Sequence, residues 1–222
     1  MRISMRLRAA AAIAVMTCTC AGVLAVPLTP EELTATCGDA DGLAHCGRLV
    51  EAAQMKRFPN LAARDGDVLN VTLYPSGKTS FMDSEDPKGA RSYSLWDYLD
   101  GPNIAVIYAT RGDDATFLLL QRTNGRVFEV PAEPRLSPDA QRLATADVCA
   151  QGCSNEIAVW RVTRDGVRKE SSWTPSERWT DAAVHWKSAD AIELDYKTTD
   201  GGAGHTLERR LDARDWKRAA GR

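Results

Sequence analysis

The sequence predicts a mostly β protein, an antiparallel β-meander with one short N-terminal α-helix. Two observations carry that prediction. Short apolar–polar alternations recur along the chain, separated by glycine-containing turns, which is the pattern of strands with one buried face. Helical periodicity is confined to the N-terminal region, where Leu43, Cys46, Val50 and Ala53 fall on one face.

The first residues are set apart from that fold. MRISMRLR supplies Arg2, Arg6 and Arg8 without an acid, and AAAAIAVMTCTCAGVLA follows, ending in the small-x-small pattern Val23-Leu24-Ala25. This reads as a signal peptide over 1–25, leaving 26–222 as a single β-rich domain in the periplasm or secreted medium. Cys18 and Cys20 each follow a threonine, not the small residue usual before a lipidated cysteine. No later run is apolar enough to span a membrane. The formal net charge of the full chain is −2, and losing three arginines makes it more acidic. That balance argues against nucleic acid or an anionic membrane as the main partner.

Four cysteines remain beyond residue 25: Cys37, Cys46, Cys149 and Cys153. An even count in an oxidising compartment predicts two disulfides, and the local pairs Cys37–Cys46 and Cys149–Cys153 are the favoured connectivity. A four-thiolate zinc site would prefer two C-x2-C knuckles, which these spacings do not form. No metal and no cofactor is expected.

The helix is expected over about 40–57, capped by Asp39 or Asp41 and stopped near Pro59. Beyond it, four segments share one shape of strand, polar turn and strand. They are LNVTLYPSGKTSFMD from Leu69, FLLLQRTNGRVFEV from Phe117, IAVWRVTRDGVRKES from Ile157 and TLERRLDARDWKR from Thr206. Asn124-Gly125 and Asp165-Gly166 are hairpin signals of the type I′ kind, which needs positive φ at both positions. A further strand precedes each of the last three: 103–110, 141–148 and 191–198. Residues 83–94, by contrast, read as a surface loop, and the C-terminal DARDWKRAAGR reads as a frayed basic tail.

These units recur roughly every 45 residues over about 65–218 and resemble the four-stranded blades of WD40-like propellers. The most specific part of the resemblance is the Ser137-Pro138-Asp139 turn with the following strand. The arrangement is also similar to a group of small secreted proteobacterial proteins. About three full units, fewer than the four or so that a closed propeller needs, imply an open or incomplete propeller, or two sheets packed face to face.

Catalytic constellations are scarce. His45, His185 and His205 form no metal-ligating spacing, and no G-x-S-x-G elbow occurs. YPSGKTS lies at a hairpin tip and lacks the first glycine of a phosphate loop. Asp83, Glu85 and Asp86 read as a solvated loop. Asp190, Glu193 and Asp195, in or beside one strand, are the carboxylates that would serve an envelope-acting hydrolase, the alternative function. The main expectation is a non-enzymatic binding protein engaging a protein partner, of inhibitor or immunity type. Its expected contact residues are Trp173, Arg178 and Trp179, flanking the loop-like TPSER, because tryptophan and arginine are favoured interface anchors. Homodimerisation through open sheet edges is a further expectation.

Overall fold

The computed structural model describes residues 28–86, 89–199 and 204–219, so the expected signal peptide lies outside the described residues. Two helices come first, α1 (Pro30–Cys37) and α2 (Leu43–Arg57). The strands then follow as four antiparallel sheets in chain order. The first holds β1 (Ala62–Asp65), β2 (Val68–Thr72) and β3 (Lys78–Met82). In the second, β4 (Arg91–Leu99), β5 (Ile104–Arg111), β6 (Asp114–Gln121) and β7 (Arg126–Val130) run as a meander. The third combines β8 (Arg135–Leu136), β9 (Arg142–Asp147), β10 (Glu156–Thr163) and β11 (Gly166–Trp173) with β15 (Lys217–Arg218). The fourth is β12 (Trp179–Ser188), β13 (Ala191–Thr198) and β14 (His205–Arg210).

Three hydrophobic clusters join neighbouring sheets. Leu69, Val71 and Phe81 of the first meet Leu95, Ile107 and Leu120 of the second. Val106, Phe117 and Leu119 meet Leu143 and Val167 of the third. Ile157 and Val159 meet Trp179, Val184, Ile192 and Leu194 of the fourth. The two middle sheets are thus buried on both faces, which is why β5 reads as the unbroken apolar run Ile104-Ala105-Val106-Ile107-Tyr108. The end sheets alternate. Their outer faces carry Asn70, Thr72 and Ser80 at one end of the stack and Asp181, Lys187, Asp195 and Lys197 at the other. No hydrophobic cluster joins the first sheet to the fourth, and no closed ring forms among the described residues.

Both disulfides, Cys37–Cys46 and Cys149–Cys153, pair as expected. Other expectations are corrected. There are two helices, not one: Thr29 and Glu32 form a capping box ahead of α1, with Pro30 at its first turn. Neither Asp39 nor Asp41 caps α2, whose N-cap is Gly42. β4 begins at Arg91, inside the expected loop, and Ser92 and Ser94 are buried. In the hairpin turns the glycines alone take positive φ, Gly125 at 71° and Gly166 at 133°, so neither turn is type I′. The fourth hairpin does not form. Residues after β14 turn back so that β15 pairs with β11, and Trp216, expected in a tail, is buried.

α2 lies along β4, an edge strand, and its polar side chains take the place of a missing neighbour. Glu51 accepts the Leu95 N–H at 3.0 Å, and Gln54 donates to the Trp96 carbonyl at 2.7 Å. Arg48 and Arg64 donate to the Tyr93 carbonyl at 2.8 and 2.5 Å, and Asp83 accepts the Tyr93 N–H at 2.9 Å. Arg64 clasps Glu51 through two nitrogens at 2.5 and 2.7 Å, and Asp83 pairs with both arginines. An open edge is thereby closed by charge-assisted hydrogen bonds rather than by a strand.

Candidate functional site

Trp173 and Trp179 are strand residues, the last of β11 and the first of β12, and both turn inward. Trp179 is only 2% exposed and stacks on Tyr196 with ring centroids 3.8 Å apart. Trp173 meets it edge-on at 5.7 Å and carries the Arg209 guanidinium 3.7 Å above its ring. This column holds the third and fourth sheets together, so Trp179 offers no surface to a partner. Arg178 is not brought into the column. It is exposed and donates to the Ala150 carbonyl at 3.2 Å.

The histidines are dispersed. His45 approaches Asp41, His185 approaches Asp195, and His205 lies beside the Tyr196 ring. Glu193 and Asp195 face solvent from the fourth sheet, near Lys187 and His185 respectively. The Asp190 carboxyl is held below its ordinary value by the Ser188 hydroxyl and the Arg210 charge. Among the described residues no group of three His, Cys, Asp or Glu side chains could hold a metal ion. One carboxyl behaves differently. Burial pushes Asp97 up to about 6, against the opposing Tyr98 N–H and Arg57 charge. It sits in β4 directly after Trp96, where the register with β5 shifts.

One end of the stack gathers three hairpin tips, 73–77 from the first sheet, 122–125 from the second and 164–165 from the third. The tips are tied to one another. Tyr74 N–H donates to the Arg122 carbonyl at 3.0 Å, and Arg122 Nε returns a bond to the Thr72 carbonyl at 2.6 Å. Arg122 also donates to Asn103 Oδ1 at 2.9 Å and the Tyr98 hydroxyl at 3.2 Å. Asn124 Nδ2 and Arg126 reach the Arg164 and Asp165 carbonyls, each at 3.4 Å. Gly77, at φ 101°, supplies the left-handed step that brings the Leu73 N–H back to its carbonyl.

Two features of this end face outward. The Tyr74 side chain stands 63% exposed although its backbone is anchored. Beside the second and third tips lies a cleft of about 610 Å³ lined by Pro102, Asn103, Gln121, Thr123, Arg164 and Asp165, among others. Gln121 is 4% exposed; its Nε2 donates to the Pro102 carbonyl at 3.0 Å and Thr123 Oγ1 at 3.1 Å, which fixes that wall. Sequence reasoning placed these turns but not their alignment. Tyr74 was legible only as a residue beside a hairpin tip.

Compared with known proteins, the chain matches no family model and no curated protein.

Proposed function

We propose that this chain is a non-enzymatic binding protein acting outside the cytoplasm, and that it engages a protein partner through the hairpin-tip end. The observation that carries this reading is Tyr74, an exposed aromatic on a backbone locked to its neighbour. Rigid loops that present tyrosine beside asparagine, threonine and arginine lose little entropy on binding and supply both apolar area and hydrogen bonds. Two disulfides suit an oxidising compartment, and no described helix is long and apolar enough to cross a membrane. Apart from Met82, the outer faces of the stack carry mainly polar side chains, which favours a different protein over a second copy as partner. We read the four consecutive meanders as an open row of propeller-like blades, supported by the matching positions of the β2–β3, β6–β7 and β10–β11 tips. An inhibitor or immunity role fits a small, rigid, secreted binder.

The test is capture from envelope extract on immobilised oxidised protein, followed by the variants Tyr74→Ala and Arg164→Ala. A stoichiometric protein retained by wild type and lost with Tyr74→Ala, at unchanged melting temperature, is the expected result. A partner that survives Tyr74→Ala, or none at all, refutes the proposal. The hydrolase alternative, expected to use Asp190, Glu193 and Asp195, gains support only from a different carboxyl, Asp97, which burial holds near 6. It predicts turnover of envelope glycan or peptide that Asp97→Asn abolishes.

A further inference from the structure

We infer that Arg91 and Arg111, at the opposite end of the second sheet, form a clamp for an oxyanion, a phosphate or carboxylate group. The two arginines are direct cross-strand partners in the β4–β5 register. Side chains so placed have Cβ atoms about 4.5–5.5 Å apart, and like charges directly opposite are destabilising. Seven other arginines, Arg48, Arg64, Arg135, Arg142, Arg161, Arg209 and Arg210, each pair with a carboxylate. Among the described residues neither the Arg91 nor the Arg111 guanidinium has a hydrogen-bond or ion-pair partner. Even Asp114, cross-strand partner of Arg111 in the β5–β6 register, forms no ion pair with it. Two like charges held opposite each other with no carboxylate between them leave a place that a ligand's negative charge would fill.

The surroundings suit that role. Arg91 and Thr110 line two clefts, one of about 490 Å³ that includes His45 and Ser92, the other of about 380 Å³ that includes Arg111 and Thr116. Acidic residues also line them. Asp83 is committed to Arg48 and Arg64; Asp67 and Glu85 line the first cleft, and Asp114 and Glu129 the second, without an ion pair to either arginine among the described residues. The Arg91 backbone is held from both sides, by the β4–β5 ladder and by its pairing with Ser84 at 2.8 and 3.0 Å. Each guanidinium carries a fork of N–H donors that binds two oxygens of a carboxylate or a phosphate, and two such forks stem from adjacent strands.

The experiment compares thermal unfolding of wild type with the double variant Arg91→Gln/Arg111→Gln in sodium chloride, acetate and phosphate at equal ionic strength and pH 7. Phosphate raises melting temperatures generally by exclusion, so the readout is the increment over chloride in wild type minus that in the variant. At tenfold excess over the dissociation constant, the difference expected is about 3–6 °C. A difference in phosphate only identifies a phosphate site, and one in acetate as well identifies a general oxyanion site. The variant is expected to be at least as stable as wild type in chloride, because the repulsion is gone. Equal increments in both proteins overturn the proposal, as does a variant that melts lower in chloride.

Discussion

Glu51 is 4% exposed, accepts two Arg64 bonds at 2.5 and 2.7 Å, and accepts the Leu95 N–H at 3.0 Å. Glu51→Leu keeps the volume and removes every acceptor. The Leu95 N–H of the β4 edge then faces hydrocarbon, a loss of about 1–3 kcal/mol. Arg48 and Arg64 are left sharing Asp83 alone, and breaking a buried ion pair by removing one partner costs about 3–5 kcal/mol. These overlap and are offset by the added apolar burial, so the expected net loss is about 3–5 kcal/mol. Urea unfolding measures it as a lowered midpoint with an unchanged slope. Glu51→Gln, which retains an acceptor for Leu95, should lose less, and so should Glu51→Leu/Arg64→Met, which removes both charges. A loss below about 1 kcal/mol for Glu51→Leu, within the range of an exposed pair, would refute the reading of this network as the closure of the β4 edge.

Asp97 sets a pH dependence. Its folded pKa, about 6, lies above the ordinary 3.8, so its contribution to stability is full below that ordinary value and is lost as pH rises through 6. Asp97→Asn should therefore gain about 1–3 kcal/mol at pH 7.5 and little at pH 4, read from urea midpoints at the two pH values. Gly166 combines φ of 133° with the Phe128 ring, whose Cε2 would lie 1.9 Å from an added Cβ. Gly166→Ala should lose about 2–4 kcal/mol, and shortening the ring in Gly166→Ala/Phe128→Leu should recover only part of it, since the backbone strain stays. Trp179→Ala should lose about 3–5 kcal/mol in the same assay, where an interface residue would leave stability unchanged.

The strands were legible wherever one face is wet. β2 and β13, in the end sheets, announce themselves by alternation, and the glycine turns divide the hairpins. α1 carried its own sign in Thr29-Pro30-Glu31-Glu32, a capping box followed by too little apolar pattern to be noticed. The tryptophans misled because Trp173 and Trp179 bracket a true loop. Only the inward turn of the flanking strands makes them core. Glu51 was invisible for a related reason: a glutamate on a helix reads as solvated until a strand edge is laid against it.

The sequence by itself determined the mostly β class of the fold, three of the four expected hairpins and the disulfide pairs, because alternation, turn chemistry and short cysteine spacing are local. Tertiary structure alone decided which strands share a sheet, that β15 returns to β11, and that Arg91 stands opposite Arg111. It also decided that three hairpin tips meet at one end. Those are relations between residues distant in the chain, set by which faces and edges must be covered, and no local pattern encodes them.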